Sequence, residues 1–117
     1  MNVENTKAQM RKGVLEYCIL SAIARRGEMY ASDIIQTMKD AQLIIVEGTL
    51  YPLLTRLKNA QLLTYYWRES ASGPPRKYYY LTQQGQHFLA QLDETWHSLN
   101  QAVVYVTQNH QDYGTNH

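Results

Sequence analysis

The sequence predicts a mainly α (α+β) fold, a winged helix-turn-helix followed by a long C-terminal dimerisation helix. Three observations lead to this prediction. Helical apolar patterns fill about the first half of the 117 residues. Two aromatic segments then flank the turn-forming stretch SASGPP. A last helical segment carries apolar residues at alternating three- and four-residue steps.

The first two helices have recognisable ends. The first extends from about Lys7 to Arg26, where cations and the following Gly27 favour a helix C-terminus. The second extends from about Ala31 to Asp40, and we expect Ser32 or a neighbour to cap it. Apolar side chains in both recur at helical spacing, so each helix should pack on one face.

The third helix is predicted from Gly48 to Gln61. Pro52 must lie near its start, because further inside it would lose a backbone hydrogen bond and clash with the carbonyl four residues earlier. The preceding segment from Leu43 to Val46 reads as a short strand or a packed connector. The core face of this helix is formed by Leu50, Leu54 and Leu57.

Two aromatic segments, Leu62 to Glu69 and Arg76 to Leu81, predict antiparallel strands joined by the turn Ser70 to Pro75. Side chains alternate along the second strand, which places Tyr79 with Leu81 on one face and two further tyrosines on the other. One of these two faces packs inward, and the other is free to meet a partner.

The last helix is predicted from an N-cap at Thr82 to about Gln108. A lone helix cannot bury its long apolar seam, so the seam should pack on the first helix, on a second copy of the chain, or on both. We take these residues as the dimerisation surface. They are Leu89, Leu92, Trp96, Leu99, Val103 and Val106.

The composition argues against several classes of protein. No apolar run approaches the roughly 20 residues needed to span a bilayer. The single Cys18 cannot form an intramolecular disulfide, which fits a reducing compartment, and we expect a cytoplasmic protein with no membrane partner. Dispersed histidines and the lack of a nucleophile or phosphate-loop motif predict no enzyme, no metal and no cofactor.

The net charge of +1 conceals an uneven distribution. All eleven Lys and Arg lie between Lys7 and Lys77, and residues 1–77 contain seven acids, which gives that part a charge of +4. Residues 78–117 contain three acids and no Lys or Arg, which gives −3. The two parts should therefore face different partners, and the first suits an anionic surface.

The solvent face of the third helix carries hydroxyls and cations that could reach base edges or phosphates in a major groove. Arg56 is the best candidate for a forked contact, although an ordinary solvated face would look similar. The hairpin favours DNA binding, because Arg76 and Lys77 leave its turn on opposite sides. The predicted contacts are Ser32, Thr49, Tyr51, Pro52, Thr55, Arg56, Lys58, Arg76, Lys77 and Tyr78.

The segments GTLYPLLTRL and GPPRKYYYLTQQG resemble the PadR family of winged-helix transcriptional regulators. The likeness covers nearly the whole chain. In its short length the chain resembles the branch of the family that includes a multidrug-sensing repressor. The resemblance implies a homodimer that binds a palindromic operator in double-stranded DNA. It also implies a DNA-binding winged helix-turn-helix domain over residues 1–82 and a dimerisation helix over residues 83–108, and we expect a disordered tail over residues 109–117.

Three positions depart from the family pattern. Ala31 stands where the family often has glycine, and Lys58 replaces an acid. Gln61 stands where the family ends the third helix with glycine. A left-handed conformation costs a non-glycine residue about 1 kcal/mol, so we expect this turn to take another geometry.

Trp96 lies in the middle of the apolar seam. Its spacing alone favours a residue that fills a dimer core. The resemblance implies a second role, because in the multidrug-sensing relative a tryptophan on this helix lines a ligand cavity at the dimer centre. A small planar aromatic or hydrophobic effector could then bind there, with an acid nearby to favour cationic ligands. The candidate ligand-binding residues are Trp96, Asp93, Leu92, Tyr17 and Cys18.

Two hypotheses follow from the sequence. The first is a homodimeric DNA-binding repressor that loses affinity for its operator when a ligand occupies the dimer interface. The alternative is a winged-helix protein-interaction adaptor without sequence-specific DNA binding. DNA affinity that depends on Arg56 and Lys77 would separate the two.

Overall fold

The computed structural model describes residues 1–108. The elements in chain order are α1 (Val3–Arg26), α2 (Ala31–Asp40), α3 (Glu47–Asn59), β1 (Leu63–Ser70), β2 (Gly73–Leu81) and α4 (Gln83–Gln108). The fold is mostly helical, with a two-stranded wing and a long C-terminal helix, as predicted. The predicted disordered tail lies outside the described residues. Among the described helices, none is both long and apolar enough for a membrane span.

The hydrophobic core lies between the second half of α1, the helices α2 and α3, and the inner face of the hairpin. The helix α4 adds Phe88, Leu89 and Leu92, which pack against the core while remaining partly exposed. The buried apolar residues are Ile19, Leu20, Ile23, Met29, Ile34, Met38, Ile45, Leu50, Leu54, Leu57, Leu63, Tyr79 and Leu81.

The helix α1 begins at Val3, four residues before the predicted start at Lys7. Asn2 caps it, because its side-chain oxygen accepts a 2.8 Å hydrogen bond from the backbone N–H of Glu4. The residues before Val14 are exposed, so the first turns of α1 project beyond the core. The prediction missed this start because it followed the apolar stripe, which begins later.

The helix α2 has its predicted bounds but not its predicted cap. The N-cap is Tyr30, whose side chain makes no capping hydrogen bond, and Ser32 lies inside the first turn. Between α2 and α3 the chain is a packed connector and not a strand. Ile45 is 5% exposed and anchors the connector in the core, whereas Ile44 is 70% exposed.

Both helices of the helix-turn-helix end with a left-handed glutamine. Gln42 has φ 64° and Gln61 has φ 65°. After α3, the N–H of Leu62 donates to the carbonyl of Leu57 at 3.0 Å, and the N–H of Gln61 donates to the carbonyl of Lys58 at 2.9 Å. This is a Schellman turn of the kind that usually carries glycine, so the expectation of another geometry at Gln61 was wrong.

The hairpin has a shorter turn than predicted. The strand β2 starts at Gly73, so both prolines lie within the strand. Arg68 pairs with Arg76 and Ser70 pairs with Gly73, so Glu69 alone lies opposite the two prolines. This irregularity accommodates two residues that have no N–H to donate to the ladder.

The inner face of the hairpin is tied to the helices. Tyr79 and Leu81 are buried, so of the two faces that the sequence left open this one packs inward. Met29, between α1 and α2, forms an isolated bridge with Tyr79 through backbone hydrogen bonds of 3.0 Å and 2.8 Å. The connection between α1 and α2 therefore continues the small sheet on its β2 side.

The start of α4 is held against the end of α3 by a hydrogen bond and a close backbone approach. Thr82 is its N-cap, as predicted, because its hydroxyl accepts a 2.9 Å hydrogen bond from the N–H of Gly85. The same hydroxyl donates to the carbonyl of Gln61 at 2.6 Å. A Cβ on Gly85 would lie 2.0 Å from the carbonyl oxygen of Leu62, so this close backbone approach requires glycine.

Candidate nucleic-acid interface

Four of the predicted DNA-contacting residues meet at one corner of the molecule. This corner is a pocket of about 350 Å³ between the start of α2, the start of α3 and the wing. Ser32 comes from α2, Tyr51 from α3, and Arg76 with Lys77 from β2. The lining also includes Tyr30, Glu47 and Trp67, which were not among the predicted site residues.

Aromatic rings hold the two wing cations in this corner. The guanidinium carbon of Arg76 lies 4.6 Å from the centre of the Tyr30 ring. The ammonium of Lys77 lies 4.6 Å from the Tyr65 ring and 5.3 Å from the Trp67 ring. Cation–π contacts fix the position of a cation without neutralising its charge, so both groups keep a full charge for an anion.

The exposed residues of α3 point in two directions. Tyr51 turns towards the wing, and the Lys58 ammonium lies 5.7 Å from the Tyr65 ring on the same flank. Thr49 and Arg56 lie on the opposite flank, where they line a groove beside α1. The other two predicted residues of this helix, Pro52 and Thr55, are exposed between these flanks.

Arg56 is engaged with α1. Its guanidinium forms an ion pair with the carboxylate of Glu16, and both side chains are partly exposed. The forked contact of Arg56 with DNA stays a prediction, and it requires that DNA replace Glu16 as the partner of this guanidinium. Sequence spacing cannot bring residues 16 and 56 together, so this contact had no sequence signal.

The groove beside Arg56 is the larger concave surface. It has a volume of about 810 Å³ and lies between α1, α3 and α4. Its floor is apolar and includes Leu15, Leu53 and Leu92, and its rim is cationic through Arg11 and Lys12. Neither of these cations was among the predicted site residues.

Three of the candidate ligand-binding residues come together where α1 meets α4. The Tyr17 hydroxyl donates a 2.6 Å hydrogen bond to the Asp93 carboxylate, and its ring centre lies 6.4 Å from that of Trp96. This hydrogen bond, with burial, raises the pKa of Tyr17 to about 12. Leu92 lines the neighbouring groove, whereas Cys18 packs against the core and does not line it.

The predicted dimerisation seam divides into two parts. Leu89 and Leu92 pack on the core of the same chain. The remaining seam side chains are exposed, at 41% for Trp96, 53% for Leu99, 50% for Val103 and 68% for Val106. Within residues 1–108, Tyr17 of α1 lies beside Trp96, and the side chains of Leu99, Val103 and Val106 are at least half exposed.

Tyr78, the last predicted DNA contact, lies on the outer face of the hairpin and does not line the corner pocket. Its ring stacks on Tyr66 at 5.9 Å and contacts Tyr30 at 5.3 Å. The Arg68 guanidinium lies 4.2 Å above it. Tyr78 is thus enclosed by side chains of this chain, and its surroundings differ from those of Lys77, the preceding residue.

Comparison with known proteins adds a family. A family model described as the transcriptional regulator PadR-like family matches residues 19–91, which extend from α1 through the wing into α4.

Within the described residues, no group of His, Cys, Asp and Glu side chains is arranged to hold a metal ion.

Three solved structures illustrate the similarity. A PadR-like transcription factor from Bacteroides fragilis is 58% identical, with a TM-score of 0.73, over 88% of this chain and 99% of that chain. A PadR family transcriptional regulator from Eggerthella lenta is 31% identical, with a TM-score of 0.80, over 91% and 92%. Bacillus subtilis PadR, in complex with operator DNA, is 28% identical, with a TM-score of 0.62, over 68% and 45%.

Proposed function

This chain belongs to the PadR-like family of transcriptional regulators, and on that premise we propose that it is a homodimeric repressor released by a small ligand. The family makes it a non-enzymatic, DNA-binding transcriptional regulator, so the adaptor alternative is set aside. The proposal adds three features: repression, a dimer formed through α4, and an effector at the junction of α1 and α4. It follows the multidrug-sensing branch in the role given to Trp96.

The DNA contacts are proposed for the corner pocket and the exposed face of α3. Arg76 and Lys77 bind phosphates from the wing, while Tyr51, Pro52 and Thr55 enter the major groove. The support is that Arg76 and Lys77 converge with Tyr51 and Ser32 at one corner. Arg56 contributes only after DNA replaces Glu16 as its partner, because the two acceptors compete for one guanidinium.

The dimer is proposed to form through the exposed part of the seam. The spacing of Trp96, Leu99, Val103 and Val106 is that of a helix–helix interface, and their exposure in one chain supports a second chain as the partner. A twofold axis pairs two winged helix-turn-helix domains, residues 1–82, through two helices, residues 83–108. The α3 helices of the two chains, which we propose as the recognition helices, then match half-sites about 34 Å apart in a palindromic operator.

The ligand-release mechanism is supported by the contacts of two adjacent residues in α1. Glu16 and Tyr17 are adjacent in α1, and they hold different helices: Glu16 pairs with Arg56 of α3, and Tyr17 binds Asp93 of α4. A planar aromatic ligand that separates Tyr17 from Trp96 shifts α4 against α1, and α1 transmits the shift to α3. Thermodynamic linkage then requires that DNA weakens ligand binding by the same factor.

Operator titration tests the DNA contacts. A palindromic fragment from the promoter region of its own gene is titrated at two salt concentrations, with wild type and with the double variant Arg76→Gln and Lys77→Gln. We expect wild-type affinity to fall steeply with salt. In the variant, the slope of the logarithm of the binding constant against the logarithm of salt concentration should be shallower by one to two, because each phosphate contact contributes about 0.9 to it. Equal affinity at both salt concentrations would contradict the phosphate contacts.

Tryptophan fluorescence tests the ligand site, because the chain contains two tryptophans. Planar aromatic compounds are added to Trp67→Phe, which keeps Trp96, and to Trp96→Phe, which keeps Trp67. We expect quenching in the first variant and little in the second. Similar quenching in both variants, or in neither, would argue against a site at Trp96.

The transmission through α1 has its own test. Glu16→Gln removes the ion pair with α3, and Tyr17→Phe removes the hydrogen bond with α4. With a compound that quenches Trp96, we expect the ratio of operator affinities without and with ligand to fall towards one in both variants. Thr6→Ala is a control in the exposed part of α1. An unchanged ratio in Glu16→Gln would show that the signal does not pass through Arg56.

A further inference from the structure

A carboxylate lies among the cations on the outer face of the hairpin. Glu28 belongs to the connection between α1 and α2, next to the backbone bridge of Met29 with β2. Its carboxylate accepts hydrogen bonds from the Tyr66 hydroxyl at 2.6 Å and from the Arg68 guanidinium at 2.5 Å. One acidic side chain thereby joins two residues of β1 to the helical part of the molecule.

Arg68 is held from a second direction by aromatic rings. Its guanidinium carbon lies 4.2 Å from the centre of the Tyr78 ring and 5.4 Å from that of Tyr66. The two rings are nearly parallel, at 23°, and they come from opposite strands. Arg68 therefore contacts both strands of the wing and, through Glu28, the connection that precedes α2.

The register of the hairpin explains why this arginine needs an acid. Arg68 lies directly opposite Arg76, and like charges at facing positions destabilise a strand pair. Arg26 lies at the same surface as Arg68 and Glu28. Without Glu28, the outer face would bring three arginines together without a carboxylate in contact with Arg68, and the hairpin would relieve the repulsion by twisting or separating.

We propose that Glu28, Tyr66, Arg68 and Tyr78 form a wing clamp that positions Arg76 and Lys77 for phosphate contact. Glu28 and Arg68 are positioning residues, and DNA does not touch them. The inference rests on the proposed DNA contacts of Arg76 and Lys77. Removal of an acid near a DNA-binding surface ordinarily strengthens DNA binding. Removal of Glu28 weakens DNA binding instead, because it opens the clamp.

The expected effect is moderate. The side chains of Arg68 and Glu28 are 50% and 35% exposed, and isolated pairs of this exposure stabilise little. Here the pair belongs to a network with two rings and a tyrosine hydroxyl, and the hydrogen bond to Glu28 raises the pKa of Tyr66. Such a network can hold a preferred orientation of the wing even where each contact alone is weak.

Glu28→Gln tests the clamp against a matched control, Glu69→Gln. Both variants remove one negative charge from the wing region, but Glu69 lies opposite the prolines and outside the clamp. In operator titrations we expect Glu28→Gln to bind about threefold more weakly or worse, with a salt slope shallower by about one. We expect Glu69→Gln to bind as tightly as wild type or more tightly.

The opposite results would overturn the clamp. If Glu28→Gln binds as well as wild type or better, Glu28 only lowers the positive potential. If both variants weaken binding equally, the loss of an acid and not the loss of the clamp is responsible. Thermal unfolding measured alongside shows whether each variant remains folded at the temperature of the titration.

A double-mutant cycle keeps the test informative if Glu28→Gln is unstable. In a background of Arg68→Gln the clamp is already open, so adding Glu28→Gln should change operator affinity little. An equal loss in both backgrounds contradicts the clamp. If the double variant Arg76→Gln and Lys77→Gln loses operator affinity while Glu28→Gln does not, the clamp is contradicted and the phosphate contacts of the wing are supported. If that double variant keeps wild-type affinity and salt slope, both the phosphate contacts of the wing and the clamp are contradicted.

Discussion

The helix α3 and the part of α4 from Asp93 onwards carry similar apolar patterns with opposite burial. In α3, Leu50 and Leu54 are 0% exposed and Leu57 is 2% exposed. In α4, Leu99, Val103 and Val106 have comparable spacing and are at least half exposed. Periodicity therefore identifies a face that should be buried without identifying what buries it. The core supplies that partner for α3, and a second chain is our proposal for α4.

The two regions also differ in how firmly they are attached. The end of α3 is held by its Schellman turn, by the Thr82 hydroxyl and by the close approach of Gly85 to Leu62. From Asp93 onwards α4 is exposed throughout residues 93–108, and its contacts with the rest of the described chain include Tyr17. We therefore expect substitutions near α3 to act on folding, and those in distal α4 to act on association.

The largest effect should come from the core. Leu54→Ala is expected to lower the free energy of unfolding by about 3 kcal/mol, because a fully buried leucine leaves a cavity. Val103→Ala serves as its counterpart on α4 and should destabilise only at concentrations where the dimer forms. Denaturant unfolding at two protein concentrations measures both. A concentration-independent loss of similar size in Val103→Ala would mean that α4 is buried within its own chain.

Gly85→Ala should come next, at about 2 kcal/mol of destabilisation. The new methyl group would lie 2.0 Å from a backbone oxygen, so α4 must move away from the end of α3. Gly48→Ala is the control, because a Cβ there has no atom within 4 Å in the described structure and alanine favours a helix. Thermal unfolding should therefore move in opposite directions for the two variants, and a neutral Gly85→Ala would contradict the close approach.

A smaller, stabilising effect is expected at the turn after α3. Gln61→Gly should raise the free energy of unfolding by up to about 1 kcal/mol, because glycine adopts the left-handed conformation without a Cβ penalty. Gln61→Ala keeps the Cβ and should give little change. Chemical denaturation of the three proteins measures the difference. If alanine stabilises as much as glycine, the backbone conformation is not the cause.

The smallest effect concerns the contact between α1 and α4. The pKa of Tyr17 is raised from 10.0 to about 12, so its hydrogen bond with Asp93 contributes stability below pH 10 that is lost as the pH rises towards 12. The stability difference between wild type and Tyr17→Phe should narrow over that interval. The comparison cancels the other tyrosines, and a difference that is constant with pH would contradict the shift.

Much of the fold could be predicted because local signals agree with it. The position of Thr82 before a helical pattern predicts its role as a cap, and alternation along β2 predicts that Tyr79 and Leu81 share a face, but not that this face is the inner one. Gln61 could not be predicted, since its residue type argues against the conformation it adopts. Backbone hydrogen bonds and the Thr82 hydroxyl hold it there, and these depend on the assembled fold.

The candidate site was only partly predictable for a related reason. Exposed polar residues on α3 and the cations of the wing were visible in the sequence, and the fold brings Tyr51, Arg76 and Lys77 to one corner. The partners of the arginines were not visible. Glu16 is 40 residues from Arg56, and Glu28 is 40 residues from Arg68. Such pairs form only through tertiary structure, and they distinguish arginines that are free for DNA from those that are engaged.

The mass of the protein in solution tests the central claim most directly. Sedimentation equilibrium at micromolar concentration should give twice the mass of one chain for wild type, and the mass of one chain for Val103→Asp, which places a charge in the exposed seam of α4. Asn100→Asp, a neighbouring position outside the seam, should keep the doubled mass. A wild-type protein found only as single chains under these conditions would contradict the proposed dimer and the ligand site built on it.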